Sequence, residues 1–401
     1  MFQFLNFIKY LIIIYIDLKN VLNSKYLASY WGILLIQTIL FIPFLINGDI
    51  SSDWDSYASL ASGKILITEF QYIPSRPPGF PVYEIFLGFL SLLPNSLIIF
   101  IHFLISLFFT AYIYKSIPDS KLKPIYSLLV FTSHVYLISG FSTIDYVLGA
   151  FFGFAFLQNL KKEKYIYSYI FIILSCGIRL SNLIFLVAGV VYLLLQKKEI
   201  KTIFLISTSI VPILLIYVPP YLLGGGVCFL NLTNVDHTLY ERLGRYFYKQ
   251  LQVFGILGTF LFFIYFCKNL KNIDFKNPDK VVMLIIFVAF QLSFLRLPTE
   301  KGHLLPALIC FLYLISDLDI KASVLYFVLL SSFVSNFLSV EFLEPDIPNH
   351  ANTADFGVFI AEGYLLQDLT NRAEKGKDFD SNIDNAIFSI KEAWNTAAPN
   401  C

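Results

Sequence analysis

Acidic side chains cluster in residues 48–95, directly after the first apolar run. The cluster contains Asp49, Asp53, Asp55, Glu69 and Glu84. Asp53 and Asp55 flank one tryptophan, and a carboxylate of such a pair can take the proton of an attacking hydroxyl as a general base. The pair can also bind a divalent cation, Mg²⁺ or Mn²⁺, through oxygen ligands. The alternative is structural, because residues 51–53 can cap a helix that begins near Trp54.

A stiff segment rich in proline follows, with the sequence YIPSRPPGFP over residues 72–81. Its prolines and its glycine exclude a regular helix, so the backbone should hold Arg76 in one place. A guanidinium group binds phosphate through its planar pair of N–H donors, which makes Arg76 a candidate for substrate binding. In the alternative, the segment is a connector and Arg76 is only solvated.

Other charged side chains stand at the ends of apolar runs or in the loops between them. Asp145 begins one run, where it is either a candidate catalytic carboxylate or a group that balances the helix dipole. Arg179 lies between two runs, and an arginine at a membrane usually has a partner or a role. Arg242 and Arg245 follow a glycine triplet and are candidates for holding the acceptor or a donor phosphate.

Basic side chains also gather in the segment RLPTEKGHLLP, residues 296–306. Arg296, Lys301 and His303 can bind a polyprenyl phosphate head group at the membrane surface. Alternatively, Arg296 and Lys301 extend only to the phosphates of surrounding lipids. The segment is therefore a second candidate region for substrate binding.

The composition indicates the elements that must position these side chains. Of the 401 residues, 57% are hydrophobic and 14% are charged, whereas soluble proteins carry about 25% charged residues. We predict an all-α polytopic membrane protein with about eleven transmembrane helices, because its apolar runs approach the roughly 20 residues that cross a bilayer. Their expected positions are 28–47, 96–114, 124–140, 145–160, 165–178, 182–196, 202–218, 250–267, 281–295, 304–316 and 322–340. The net charge of +1 gives no reason to expect nucleic acid as a partner.

The positive-inside rule assigns the two sides of the bilayer. Segment 81–94 is short and bounded by prolines, so we interpret it as a juxtamembrane or re-entrant helix on the outer face. With this choice, 17 of the 29 basic residues share one face, which we take as cytoplasmic. The N-terminus is then cytoplasmic, and the three main loops outside are 48–95, 219–249 and 296–303.

Residues 341–401 differ from the rest in having more charged and small residues. We predict a transmembrane domain over 1–340 and an extracytoplasmic tail over 341–401, which ends in an amphipathic helix near Asn382–Trp394. The abundance of lysine, isoleucine, asparagine and phenylalanine is typical of an AT-rich bacterial genome. This favours the plasma (inner) membrane as the location.

The order of the motifs resembles that of the GT-C superfamily of membrane glycosyltransferases. It is most similar to the branch of protein O-mannosyltransferases and aminoarabinose transferases. The matching parts are the Asp-x-Asp pair after the first span, the Arg-Pro-Pro-Gly segment, and Tyr83 with Glu84 on a short apolar helix. The resemblance implies that Asp53 or Asp55 is the main acidic residue, that residues 76–79 form a shaped loop, and that Glu84 is a second catalytic carboxylate.

Two other segments agree with this resemblance. Members of the superfamily often have an aspartate at a place similar to Asp145. Many also have a Pro-x-Glu-x-x-Tyr-Leu-Leu-Pro segment, which resembles residues 298–306 with His303 in place of the tyrosine. The resemblance therefore implies substrate binding by Glu300, Lys301 and His303. The shaped loop departs from the family in having arginine where lysine is frequent and glycine where leucine is commoner.

The resemblance covers residues 28–340 at the level of topology and implies a reaction. A sugar would move from a polyprenyl-phosphate donor to a hydroxyl of a glycan, lipid or protein acceptor on the extracytoplasmic face, with inversion at the anomeric carbon. Two other functions stay open. A flippase or transporter of lipid-linked sugars would need charged residues inside the spans. A polysaccharide polymerase or ligase would rely on arginines and a histidine of the outer face.

Overall fold

The fold is helical over most of its length. The computed structural model describes residues 30–47, 49–76, 78–120, 122–223, 238–298, 301–316, 318, 320–343, 356–375 and 378–397. Helices make up most of these residues, which confirms the predicted helical fold. Within the described residues, β-structure consists of two strands near the C-terminus.

The helices follow one another along the chain. The first are α1 (Tyr30–Asn47), α2 (Trp54–Glu69), α3 (Pro81–Leu90), α4 (Asn95–Ser116), α5 (Lys123–Phe131), α6 (His134–Phe141), α7 (Asp145–Lys161) and α8 (Tyr165–Ile178). They are followed by α9 (Leu183–Leu195), α10 (Ile200–Ser207), α11 (Ile210–Ile216), α12 (Val218–Leu223), α13 (Leu239–Gln252) and α14 (Ile256–Asn269). The next are α15 (Pro278–Arg296), α16 (Leu305–Ile315) and α17 (Ala322–Ser335). Short 3-10 turns lie at Leu180–Asn182, Leu270–Asn272 and Lys301–Leu304.

Most of the apolar helices are shorter than a typical membrane span. Among the described residues, Asn95–Ser116 and Pro278–Arg296 are long and apolar enough to cross a bilayer. Two bent pairs pass the same test together, α5 with α6 at 58° and Leu239–Gln252 with Ile256–Asn272 at 92°. The other apolar helices have 10–17 residues. The arrangement with about eleven spans, each of roughly 20 residues, is therefore not confirmed.

The bend between α5 and α6 leaves backbone carbonyls that other helices satisfy. Ser133 caps α6 through its side-chain oxygen. The Phe131 carbonyl accepts a hydrogen bond from Gln37 Nε2 at 2.9 Å, and the Thr132 carbonyl accepts one from Asn336 Nδ2 at 3.0 Å. A backbone break inside an apolar bundle is tolerated where such partners exist. The bend therefore links α1 and the end of α17 to one point.

One face of α1 is apolar and exposed along its whole length. Its exposed side chains are Trp31, Leu35, Ile39, Ile42 and Ile46. Their spacing of three or four residues places them on one side of the helix, opposite buried Ile33, Gln37, Phe41 and Phe44. Contiguous apolar surface of this kind is uncommon on monomeric soluble proteins and typically marks a site of membrane or protein contact.

The predicted juxtamembrane helix corresponds to α3, which packs against α2 and α8. Glycines allow α2 and α3 to approach closely: a Cβ atom built on Gly63 would lie 2.4 Å from the Glu84 carbonyl oxygen and 2.5 Å from the Gly88 nitrogen. Small residues at helix crossings serve this purpose in membrane bundles. The predicted first outer loop therefore contains a pair of packed helices, which the proline-rich segment joins.

The C-terminal residues combine a small sheet with two helices. Strands β1 (Leu338–Leu343) and β2 (Phe356–Glu362) pair antiparallel, with Val340 opposite Ile360. Helices α18 (Tyr364–Lys375) and α19 (Phe379–Ala397) follow, and α19 contains the predicted amphipathic segment.

These two helices share a hydrophobic core with the first outer loop. Buried Leu365, Ile383 and Ile390 lie in the same apolar cluster as Tyr57 of α2 and Leu87 of α3. The tail is therefore packed onto the helices that carry the acidic motif. A separate domain boundary at residue 340 stays a prediction.

Candidate functional site

The acidic pair stands where α2 begins. Asp53 is the N-cap of this helix: its Oδ1 accepts a hydrogen bond from the Asp55 N–H at 3.0 Å, and its own N–H donates to Ser51 Oγ at 3.0 Å. The capping alternative is confirmed for Asp53. Burial raises the pKa of the Asp53 carboxyl above its usual 3.8, while the charges of Arg76 and Lys375 oppose this rise. A raised pKa suits a general base near neutral pH.

Arg76 connects the acidic pair to a second carboxylate. Its guanidinium pairs with Asp55, and its Nη2 lies 3.9 Å from Oδ1 of Asp145, the first residue of α7. A backbone hydrogen bond of 3.0 Å from the Thr143 N–H to the Ile50 carbonyl holds the start of α7 beside the first loop. The proline-rich segment thus directs Arg76 to two carboxylates that are distant in sequence.

Arg179 contacts the other side of Asp145. Its Nη1 donates to Asp145 Oδ2 at 2.6 Å, and both side chains are largely buried. Its Nη2 lies 3.3 Å from Nδ1 and 3.4 Å from Nε2 of His303. The contacts form a continuous series, which we call the charge row: Asp55, Arg76, Asp145, Arg179 and His303.

His303 ends the charge row as a neutral imidazole. Burial lowers the pKa of His303 well below 6.5, and the positive charges of Arg179, Arg76 and Lys249 add to this effect. The neighbouring Gly302 packs closely on Tyr146, since a Cβ atom at this position would lie 2.4 Å from the Tyr146 ring. A neutral imidazole can accept a hydrogen bond from Arg179. It can also accept a hydrogen bond or a proton from a substrate.

Two aromatic rings hold the guanidinium groups. The Phe80 ring lies 4.7 Å from the Arg76 guanidinium and 5.7 Å from that of Arg179. The Tyr146 ring lies 4.1 Å from Arg179 on its other flank. Such contacts fix the direction of an arginine and are strongest away from water. The motif analysis did not identify Phe80 or Tyr146; their only sequence signal is adjacency to the shaped loop and to Asp145.

The Glu84 carboxylate lies against the proline-rich segment and is not a member of the charge row. Its carboxylate accepts hydrogen bonds from the Tyr72 hydroxyl at 2.5 Å, the Ser75 N–H at 2.8 Å and the Phe80 N–H at 3.2 Å. The side chain is fully buried, and burial raises the pKa of Glu84 despite these donors. These hydrogen bonds tie Glu84 to the proline-rich segment, and its expected catalytic role stays a prediction.

Helix α13 presents a basic face near the end of the charge row. Arg242, Arg245 and Lys249 follow at intervals of three and four residues, so they lie on one side of the helix. All three are half-buried. The charge of Lys249 reaches His303, and that of Arg245 reaches Lys249. This face adds Lys249 to the two predicted arginines.

The remaining predicted residues are placed as follows. Lys301 lies over the Tyr364 ring at 3.8 Å, two residues before His303. Arg296 ends α15. Glu300 lies outside the described residues. No group of three His, Cys, Asp or Glu side chains with metal-site geometry occurs in the described part of the chain.

Asp55 is paired with the guanidinium group of Arg76 in this conformation. A cation there would have to displace the guanidinium group. Dependence on Mg²⁺ or Mn²⁺ stays a prediction.

No known protein family, curated protein or solved structure matches this chain. Function must therefore be inferred from the chemistry of the side chains themselves. The relevant chemistry is a series of alternating carboxylates and guanidinium groups, flanked by a neutral histidine and a basic helix face.

Proposed function

We propose that this chain is an integral membrane glycosyltransferase of the GT-C type. It transfers a sugar from a polyprenyl-phosphate donor to a hydroxyl of a glycan, lipid or protein acceptor. The reaction takes place on the extracytoplasmic face of the plasma (inner) membrane. The charge row carries the proposal, because it combines groups that bind phosphate with carboxylates that can deprotonate a hydroxyl.

Exposed apolar side chains support the membrane location. The stripe along α1 and the exposed Leu257, Phe260 and Phe263 of α14 would be unfavourable in water but match a hydrocarbon environment. The proposed arrangement has about eleven spans, with the N-terminus cytoplasmic. In this arrangement the predicted span 202–218 corresponds mainly to the apolar segment Ile200–Ile216, which is shorter than a typical span.

The proposed step is a single displacement at the anomeric carbon. A carboxylate of the acidic pair takes the proton of the acceptor hydroxyl, whose oxygen forms a bond to that carbon. The bond from the carbon to the phosphate oxygen breaks, and polyprenyl phosphate leaves with the electron pair. Asp53 is the better base, because Asp55 is neutralised by Arg76 and the pKa of Asp53 is raised. Attack opposite the leaving group inverts the configuration.

The basic groups have the complementary role. The positive charges of Arg76 and Arg179 stabilise the charge that develops on the departing phosphate. The basic face of α13 and Lys301 hold the donor head group near the membrane surface. This division keeps positive charge beside the leaving group and the base beside the acceptor.

A polysaccharide polymerase or ligase is the second candidate function. The contact between Arg179 and His303 favours it, because such chemistry uses an arginine and a histidine on the outer face. A flippase is less well supported, since the residues of the charge row lie at helix ends or in connections, whereas a transporter would need charged residues inside its spans.

The decisive experiment is sugar transfer by the purified protein in lipid, with a panel of radiolabelled polyprenyl-phosphate sugars. Asp53→Asn separates the two roles of this side chain, because asparagine also caps helices well but cannot act as a general base. We expect its turnover to fall by about 10²-fold to 10⁴-fold with melting unchanged. Asp119→Asn, at a side chain that is 99% exposed, is the matched control and should keep full activity.

The alternatives give different results. If polymerase activity is found that Arg179→Lys abolishes and Asp53→Asn leaves intact, the second candidate is correct. Equal transfer by wild type, Asp53→Asn and Asp55→Asn would contradict the proposed mechanism at the acidic pair.

A further inference from the structure

Helix α18 of the tail contacts three of the five segments that carry the charge row. These segments are the turn before α2, the junction of α6 and α7, and the turn before α16. We propose that α18 positions the charge row, with Asp368 and Lys375 as positioning residues for the acidic pair. This inference rests on the proposed function for its catalytic consequence, but its structural part can be tested independently.

The first contact is with the turn before α2. Ser52, the neighbour of Asp53, donates its hydroxyl hydrogen to Asp368 Oδ1, and its carbonyl accepts a hydrogen bond from Lys375 Nζ. The charges of Lys375 and Asp368 both reach the Asp53 carboxyl. Two residues of α18 therefore hold Ser52, one through its side chain and one through its backbone. We call this turn before α2 the acidic turn.

The second contact is with the junction of α6 and α7. Arg372 is fully buried; its Nη1 donates to the Phe141 carbonyl at 2.7 Å and its Nη2 to Ser142 Oγ at 2.5 Å. Its charge is balanced by Asp368 at 2.8 Å. Because Phe141 ends α6 and Asp145 begins α7, this arginine fixes the connection from which the central carboxylate of the charge row emerges.

The third contact is with the turn that carries His303. The Tyr364 ring lies between two groups, Lys301 Nζ at 3.8 Å and the His134 ring at a centroid distance of 4.3 Å. A cation–aromatic contact of this length restrains the lysine. Helix α18 thus joins segments that are separated by up to about 250 residues in sequence, from Ser52 to Lys301.

A second lysine of the tail provides a matched comparison. Lys391 of α19 also bonds to α2, through Glu69 at 2.8 Å. This pair is at the opposite end of α2 from Asp53. Loss of either lysine removes one polar link between tail and α2, but only Lys375 holds the acidic turn.

The experiment compares Lys375→Met, Lys375→Arg and Lys391→Met in the full chain. Hydrogen–deuterium exchange of residues 49–58 is measured first, because it does not depend on any activity. We expect faster exchange in Lys375→Met, wild-type exchange in Lys391→Met and recovery in Lys375→Arg. Where transfer is measurable, kcat should fall by about 10-fold to 100-fold in Lys375→Met with an unchanged KM for the donor, since misplacement by about 1 Å has effects of this size.

Each outcome is informative. Unchanged exchange of residues 49–58 in Lys375→Met overturns the positioning role. An equal loss of kcat in Lys391→Met also overturns it, because the tail would then act only through general stability. If exchange changes as expected but wild type transfers no sugar from any donor, the tail still positions the acidic turn and the proposed function is what fails.

Discussion

Arg179 and Asp145 form a buried ion pair, with Nη1 and Oδ2 2.6 Å apart and side chains that are 10% and 2% exposed. The two residues come from different helices, the end of α8 and the start of α7. Removing one partner of such a pair leaves an uncompensated buried charge, which is more costly than removing both. The pair is therefore both the centre of the charge row and a determinant of stability.

The ion pair can be tested by a double-mutant cycle. We expect Arg179→Met alone to lower the free energy of unfolding by about 3 kcal/mol, because Asp145 keeps its charge without its nearest partner. Asp145→Asn in the same chain should recover part of the loss. Thermal melting in detergent measures both. The matched control is the surface pair Lys161–Asp279, where Lys161→Met should change the melting temperature little. If the effects of Arg179→Met and Asp145→Asn simply add, the two residues are not coupled and the prediction is wrong.

Glu84 should behave as a support of the shaped loop. Glu84→Gln keeps one acceptor oxygen but replaces the other with an amide that donates, so either the Ser75 donor at Oε1 or the Tyr72 and Phe80 donors at Oε2 lose their acceptor. We expect a loss of about 1–3 kcal/mol in the free energy of unfolding, together with faster hydrogen exchange of residues 72–80. Glu69→Gln, on the exposed end of α2, is the control and should leave that exchange unchanged. Wild-type exchange in Glu84→Gln would refute the supporting role.

His303 predicts a pH dependence of stability. Its pKa is lowered in the fold, so below pH 6.5 the unfolded chain binds more protons at this residue than the folded chain does. The free energy of unfolding should therefore fall as the pH is lowered. Melting of wild type and His303→Asn is compared from about pH 7.5 to about pH 5. The melting temperature of the variant should fall less than that of wild type as the pH is lowered. If the two plots of melting temperature against pH stay parallel, His303 is not held neutral in the fold.

Two glycines should respond to alanine in opposite directions. In Gly302→Ala the new methyl group would lie 2.4 Å from the Tyr146 ring, and the displacement should lower the free energy of unfolding by about 1–3 kcal/mol. In Gly244→Ala the methyl group has no neighbour within 4 Å, and on helix α13 it should stabilise the protein by about 0.5–1 kcal/mol. Melting temperatures measure both effects. Equal shifts in the two variants would mean that the turn before α16 has room to adjust.

Local sequence patterns identified much of what the structure contains. The apolar runs correspond to helices, and the predicted run 165–178 matches Tyr165–Ile178. Residues 51–53 indicated a cap before Trp54, which Asp53 provides. These features depend on neighbours within a few residues, so they can be inferred without knowing the fold. The bend between α5 and α6 was missed, because its carbonyl partners Gln37 and Asn336 are distant in sequence.

By itself, the sequence determined the helical class, the acidic pair and the order of charged groups along this chain: aspartates, then Arg76, then Asp145 and Arg179. Only the tertiary structure decided which of these groups meet. It brought Asp145 between two arginines, turned Glu84 toward the shaped loop and placed the tail against the acidic turn. The physical reason is that charge pairing and burial act through space, between residues that helix packing brings together from distant parts of the chain.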